Sequence, residues 1–248
     1  MKAMILAAGL GTRLRPLTAD RPKALVEING RTLLEITLSR LRTFGIREVI
    51  INVHHFADMI QEYLQANGNF GMRIEVSRED VLLDTGGGLK KAAHFFLGDS
   101  SCPEEPFIVH NVDVLSTIDL GRMVQFHNEN AALATLAVQD RKTSRYLLFD
   151  EQRQLCGRQI SSHEPELVRS CQQALALAFS GIHVVLPRLL KMMIEDGAFS
   201  TITSYLRLAA QGEKILAFRA DEYYWRDLGS PENVAQAAQD LKRKVIAQ

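Results

Sequence analysis

The sequence predicts an α/β protein with a mixed, mainly parallel sheet covered by helices on both faces, and three observations carry that expectation. Through the first hundred residues, short apolar runs of strand length alternate with stretches of helical period. Right-handed crossovers in such a pattern bring successive strand ends to one edge, where ligands collect. The first apolar run empties into a glycine turn followed by cations, which suits an anion at that edge. At 248 residues the chain is long enough for one large α/β domain, or one with a small appendage.

Met4, Ile5 and Leu6, followed by Ala7, Ala8 and Gly9, read as a buried parallel strand running into a loop. From Thr32 to Phe44 the residues Leu34, Leu38 and Leu41 recur at helical spacing, and Gly45 stands where a C-cap belongs. Glu48 to Val53 is a second buried strand, Phe56 to Leu64 a second helix and Met72 to Val76 a third strand. Gly86, Gly87 and Gly88 read as a loop preceding a helix, open enough for backbone to approach a flat ligand. Phe107 to Val109 is again a strand, Asp119 to Asn128 a helix, and Ala131 to Val138 a central strand. Past it the alternation loosens: the section through Arg169 is polar, holds Gly157 and Pro165, and reads as a β-rich insertion. On the strand Phe179 to Val185, His183 alternates with apolar residues as a satisfied, partly buried histidine would. Helical periodicity returns over 188–195 and 201–210. Ser230-Pro231-Glu232 then starts a last helix running to Ile246.

The chemistry concentrates in Lys2 to Ala24, KAMILAAGLGTRLRPLTADRPKA. Gly9 and Gly11 let the backbone turn tightly, bare N–H groups form an anion-binding concavity, and Arg13, Arg15 and Lys23 add full charges. Leu14 stands where the dinucleotide fingerprint GxGxxG needs glycine, and no Gly-Lys pair followed by Ser or Thr occurs at phosphate-loop spacing. What remains suits a nucleoside polyphosphate. Asp113 follows an apolar strand, a poor place for a carboxylate unless it binds something. A hard cation such as Mg²⁺ takes one or two carboxylates and leaves its other positions to water and phosphate. Asp227 precedes Gly229 at the shoulder of the last helix. His54 and His55 are adjacent on a strand, point to opposite faces, and read as loop histidines rather than as a joint metal site.

GLGTRLRPLT followed by RPKAL resembles the signature of the sugar-phosphate nucleotidyltransferases, GxGTRLxPLT and then PKxL. Later stretches keep that family's order: Asp113 matches its metal aspartate, FSGIH its sugar-side strand, and YWRDLGSPENV its WxDIGTPExL, while Val112 departs from a customary glycine. The resemblance implies a single Rossmann-like three-layer α/β/α domain of glycosyltransferase-A type. Residues 1–138 would take the nucleotide, 139–230 the sugar, and 231–248 would form a C-terminal helix. It further implies transfer from a nucleoside triphosphate to a sugar 1-phosphate, giving an NDP-sugar and pyrophosphate. Arg13 and Lys23 would be catalytic, and Asp113 and Asp227 would share Mg²⁺. Leu6, Ala7, Ala8, Gly9, Gly11 and Thr12 would hold the nucleotide, with Asp84, Thr85, Gly86 and Gly87 at its base. Asn111, Gly157, Glu164, Ser180 and Gly181 would meet the sugar.

Arg141, Lys142 and Arg145 fit either a sugar-phosphate contact or a solvated turn. The form DTGGG is most similar to enzymes that activate N-acetylmuramate 1-phosphate with UTP, a cell-envelope reaction, which favours UTP. TAG-type loops mark mannose and heptose guanylyltransferases, so these stand as the alternative. Two others are a phosphocholine cytidylyltransferase, which shares the first motif, and a silent nucleotide-sugar sensor.

Lysine plus arginine and aspartate plus glutamate both number 29, so total charge gives no argument for a nucleic-acid or membrane partner. The three cysteines lack CxxC spacing and read as free thiols. Met1 and Lys2 lead straight into the first strand, and no apolar run approaches the ~20 residues that span a bilayer, so a cytoplasmic setting is expected. The last helix offers a face to the sheet or to a partner chain, which leaves oligomeric state open.

Overall fold

The computed structural model describes residues 1–98, 104–161 and 163–242; Cys102 and the end of the expected final helix lie outside them. Lys2–Leu6 forms β1, and a small hairpin of Glu27–Ile28 (β2) and Arg31–Thr32 (β3) leads into α1, Leu33–Thr43. Thr32 caps this helix, its hydroxyl accepting from the Glu35 amide at 3.0 Å, and Gly45 closes it at φ 78° with its amide on the Arg42 carbonyl. Glu48–Val53 (β4), Ala57–Ala66 (α2), Arg73–Arg78 (β5), Asp84–Lys91 (α3) and Ala93–Leu97 (α4) follow. Next come Phe107–Asn111 (β6), Val114–Ser116 (β7), Leu120–Glu129 (α5) and Ala134–Gln139 (β8). The β-rich section is Arg145–Phe149 (β9), Leu155–Ile160 (β10), Glu166–Leu167 (β11) and the long Leu175–Val185 (β12). Arg188–Met192 (α6), Thr201–Ala210 (α7), Ile215–Arg219 (β13), Trp225–Asp227 (β14) and Pro231–Lys242 (α8) complete the chain.

The main sheet has the order β11-β10-β9-β12-β6-β1-β4-β5, with β8 also paired to β12 and β13 beside β8. Strands β6, β1, β4 and β5 are parallel, as are β8 and β13, whereas β12 runs antiparallel to β6, β8 and β9. Alternate residues of β1 serve opposite faces. Ala3 and Ile5 join Leu34, Leu38 and Leu41 in one core, while Met4 and Leu6 join Leu89, Phe96 and Tyr205 in the other. The chain steps from β1 to β4 and β5 on one side, then returns to lay β6 on the other side of β1. This reversal is a topological switch point, and it opens a crevice at the carboxyl ends, where Leu6 stands opposite Asn111.

Gly86, Gly87 and Gly88 lie inside α3 rather than in a loop before it. A Cβ on Gly86 would fall 2.4 Å from the Phe199 ring, one on Gly87 2.3 Å from the Gly197 carbonyl, and one on Gly88 2.7 Å from Asn52 and Glu79. Close packing of the helix start against 197–199 therefore requires glycine and outweighs its poor helix propensity. Cys156 is buried and Cys171 half-buried, both as free thiols. Among the described residues no helix is long and apolar enough to cross a membrane.

Three histidines are shut inside. His183 shares a hydrogen bond of 2.8 Å with the Tyr205 hydroxyl, His127 one of 2.9 Å with Thr135, and His110 one of 2.8 Å with the Asn111 carbonyl. Burial pushes His183 down to about 3 and both His110 and His127 down to about 4, with the Arg40 charge adding to the effect on His110. In the unfolded chain each would titrate near 6.5, so between about pH 6.5 and 4 the unfolded state binds more protons. Stability is thus full above that window and falls as pH drops through it. Thermal melts across this range should show the fall, and His127→Gln should make it shallower.

Candidate active site

The crevice at the switch point widens into a cavity of about 530 Å³. Its floor is the turn after β1: Leu6, Ala7, Ala8, Gly9, Gly11 and Thr12 all line it. The Ala7 amide donates to Asn52 Oδ1 at 2.8 Å, and Gly11, at φ 65°, comes close to Thr18 and Lys23, where a Cβ would sit 3.0 and 3.3 Å away. Glycine at that position both permits the left-handed turn and admits the lysine stem.

Arg13 and Lys23 reach the cavity from the two sides of this turn. Lys23 is 8% exposed, and its Nζ is in an ion pair with Asp113 Oδ2. Asp113 follows β6 and is tied by its carbonyl to the Leu228 amide at 2.8 Å, which draws the end of β14 alongside it. There β7 and β14 pair antiparallel, with Val114 opposite Asp227. Asp227 Oδ1 accepts from the Gly229 amide at 2.8 Å, and a Cβ on Gly229 would lie 2.4 Å from that oxygen and 2.8 Å from Arg13 Nη2. The fold therefore gathers Arg13 and Lys23 of one stretch with Asp113 and Asp227 of two others. Behind them Arg40 of α1 donates to the Ser116 and Ile118 carbonyls, fixing the end of β7, and burial pulls its pKa down to about 10.

The opposite wall is the start of α3. Asp84, at φ 57°, accepts from the Thr85 amide at 2.6 Å, and the Thr85 hydroxyl accepts from the Thr201 amide at 3.0 Å, which joins this wall to α7. Both residues line the cavity, whereas Gly86 and Gly87 stand behind them against Phe199 and Gly197. Asn52 is a wall residue that sequence reasoning passed over. It bridges the Ala7 amide to the buried Glu79 carboxylate, which in turn accepts from the Leu83 amide at 3.0 Å. An asparagine inside the apolar run EVIINV was the available signal. Leu82, Ala198 and Gly229 also line the cavity without having been singled out as ligand contacts.

On the sugar-side expectations the structure divides. Asn111 lines the cavity, and Gly181, at φ 74° in a bulge of β12, abuts it: a Cβ there would lie 2.9 Å from Asn111 Nδ2. Ser180 is fully buried beside that bulge. Gly157 and Glu164 do not reach the cavity wall. Gly157 faces Leu167 across the β10–β11 pair, where a Cβ would meet the Glu166 carbonyl at 2.4 Å, and Glu164 is exposed beyond the end of β10. His54 is held by the Glu79 carbonyl at 2.8 Å, and His55 packs on Phe56.

Residues 2–155 match the family model described as nucleotidyl transferase. The N-acetylmuramate alpha-1-phosphate uridylyltransferase of Caulobacter vibrioides is 34% identical over 238 residues, covering 93% of this chain and 92% of its own. The mannose-1-phosphate guanylyltransferase of Mycobacterium tuberculosis is 28% identical over 98% of this chain, which spans 65% of that longer protein. Among solved structures, a UDP-glucose pyrophosphorylase complexed with UDP-glucose superposes with a TM-score of 0.77 at 18% identity, over 98% of each chain. HddC from Yersinia pseudotuberculosis gives 0.77 at 22%, covering 97% of this chain and 99% of its own, which shares the fold. The chain belongs to the nucleotidyl transferase family, and within it to the sugar-phosphate nucleotidyltransferases.

Proposed function

We propose that the protein joins a sugar 1-phosphate to UTP, releasing pyrophosphate, with N-acetylmuramate 1-phosphate or a related hexose 1-phosphate as acceptor. The observation that carries the reading is the convergence of Arg13, Lys23 and Asp113 on one cavity at the switch point, with Asp227 meeting Arg13 at its edge beside Gly229. The 34% identity to the Caulobacter uridylyltransferase across nearly both full lengths supports the base and the sugar. The Mycobacterium relative keeps GTP with mannose 1-phosphate as the second pairing.

A sugar phosphate is already an anionic nucleophile, so the site needs no general base. It must align an in-line attack on the α-phosphate and relieve charge repulsion. Backbone amides from Ala8 to Thr12 cradle the triphosphate. Arg13 faces the departing pyrophosphate, and Lys23 moves from Asp113 to the α-phosphate once that oxygen competes for it. Two carboxylates beside adjoining strands, one of them paired with Lys23, fit Mg²⁺ better than a fully protein-built cage. Among the described residues no group of three or more His, Cys, Asp or Glu forms such a cage. When bound there, Mg²⁺ would neutralise charge on the phosphate oxygens. Asp84 and Thr85 stand where a base would lie, residues through 138 form the nucleotide side, and the bulge at Gly181 belongs to the sugar side. A cytoplasmic setting, where nucleoside triphosphates are made, suits this chemistry.

The test is pyrophosphate release with Mg²⁺ across the four nucleoside triphosphates and a panel of sugar 1-phosphates, with phosphocholine included. One productive pair, strongest with UTP, is expected. Release with phosphocholine alone, or silence with every acceptor, overturns the reading.

A further inference from the structure

Of the three cations in the middle section, only Arg141 turns inward; Lys142 and Arg145 are exposed. The Arg141 guanidinium stacks on Trp225, 3.7 Å from the ring centroid, and its Nη2 donates to the Phe179 carbonyl at 2.7 Å. Trp225 is itself fixed, its Nε1 donating to the Ser180 carbonyl at 2.8 Å. Trp225 and Asp227 are two apart on β14 and so share a face, which puts Arg141 on the side of the Asp227 carboxylate. Asp227 is also the foremost opposing charge acting on it.

Two of the guanidinium nitrogens have no partner. Nε is buried without a hydrogen bond, and Nη1 makes none among the described residues. Around the same bulge of β12, Ser180 Oγ and Asn111 Oδ1 are also buried and unpartnered, and Asn111 lines the cavity. Leaving such groups unmet is costly, and a rigid guanidinium with a free N–H is matched by an oxyanion. We propose that Arg141 receives the phosphate of the incoming sugar 1-phosphate. The assignment rests on the nucleotidyl-transfer reading above and names the residue that selects its acceptor.

Kinetics of Arg141→Gln, Arg141→Lys and Lys142→Gln with the productive substrate pair test it. Losing a charged hydrogen bond raises KM for the sugar 1-phosphate about tenfold to a hundredfold in Arg141→Gln, with the nucleotide KM within about twofold. Arg141→Lys should recover part of the loss and Lys142→Gln should match the wild type. An unchanged acceptor KM overturns the assignment. So does a parallel rise in both KM values, which would mark a structural role through Trp225.

A second readout needs no turnover and therefore separates this assignment from the reaction itself. Trp225 is the only tryptophan, so its emission reports the stack directly. Titration with the 1-phosphates of glucose, mannose, N-acetylglucosamine and N-acetylmuramate should give a saturable change with at least one, none with the free sugars, and none in Arg141→Gln. No response to any of the four, or the same response in the variant, overturns it.

Discussion

Replacing Asp113 by asparagine is expected to lower Mg²⁺-dependent pyrophosphate release by roughly two to three orders of magnitude, the scale on which a single preorganised electrostatic group acts in a transition state. The carboxylate is placed to do two things. It holds Lys23 in the resting site and offers oxygens at the end of β6 beside those of Asp227. Asparagine keeps the shape and an acceptor for the lysine but removes the charge. Lys23, only 8% exposed, then lacks its counter-ion, and about 1–3 kcal/mol of stability should be lost as well. Rates measured over a Mg²⁺ titration, together with a melting curve, separate the two effects. Turnover at the wild-type level with unchanged Mg²⁺ dependence would remove Asp113 from the reaction.

Gly87→Ala should be the most damaging of the small substitutions, and it should act on the fold rather than on nucleotide contact. Its Cβ would lie 2.3 Å from the Gly197 carbonyl, a backbone atom that cannot swing away. Forcing α3 from the 197–199 segment should cost about 1–3 kcal/mol, as overpacking does. In a chain of this size the melting temperature falls by roughly 2–4 °C for each of these. At low temperature, where the variant stays folded, KM for the nucleotide should change little if the glycine serves packing. A large rise in KM with an unchanged melting temperature would restore Gly87 to the base-binding wall.

What could be read from the sequence followed from how local each signal was. The strand β1, the helix after Thr32 and the closing Gly45 depend on neighbours within a few residues, and the structure has them where the pattern puts them. The meaning of the three glycines in α3 depends on Gly197, Phe199, Asn52 and Glu79, all remote in sequence, so a run that suggests a loop turned out to be a closely packed helix. Gly157 is a similar case: motif order suggests a sugar contact, while its space is taken by the partner strand β11. Asp113 and Asp227 were legible separately, but their juxtaposition depends on the β7–β14 pair, which no periodicity announces. Arg141 was ambiguous for the same reason, since its distinction from Lys142 lies wholly in Trp225 and the Phe179 carbonyl.

The antiparallel course of β12 has a consequence for how the molecule can be divided. It supplies the neighbour for β6, pairing Ile182 with His110 and Val185 with Phe107, although the two segments are some seventy positions apart. A chain ending at residue 138 would leave the β6 edge bare, a row of unpaired amides and carbonyls between buried apolar side chains, and such an edge recruits other chains. Residues 1–138 are thus no autonomous module to be borrowed or truncated. Their solubility depends on the segment that carries β12, and the two must be inherited, expressed and engineered together.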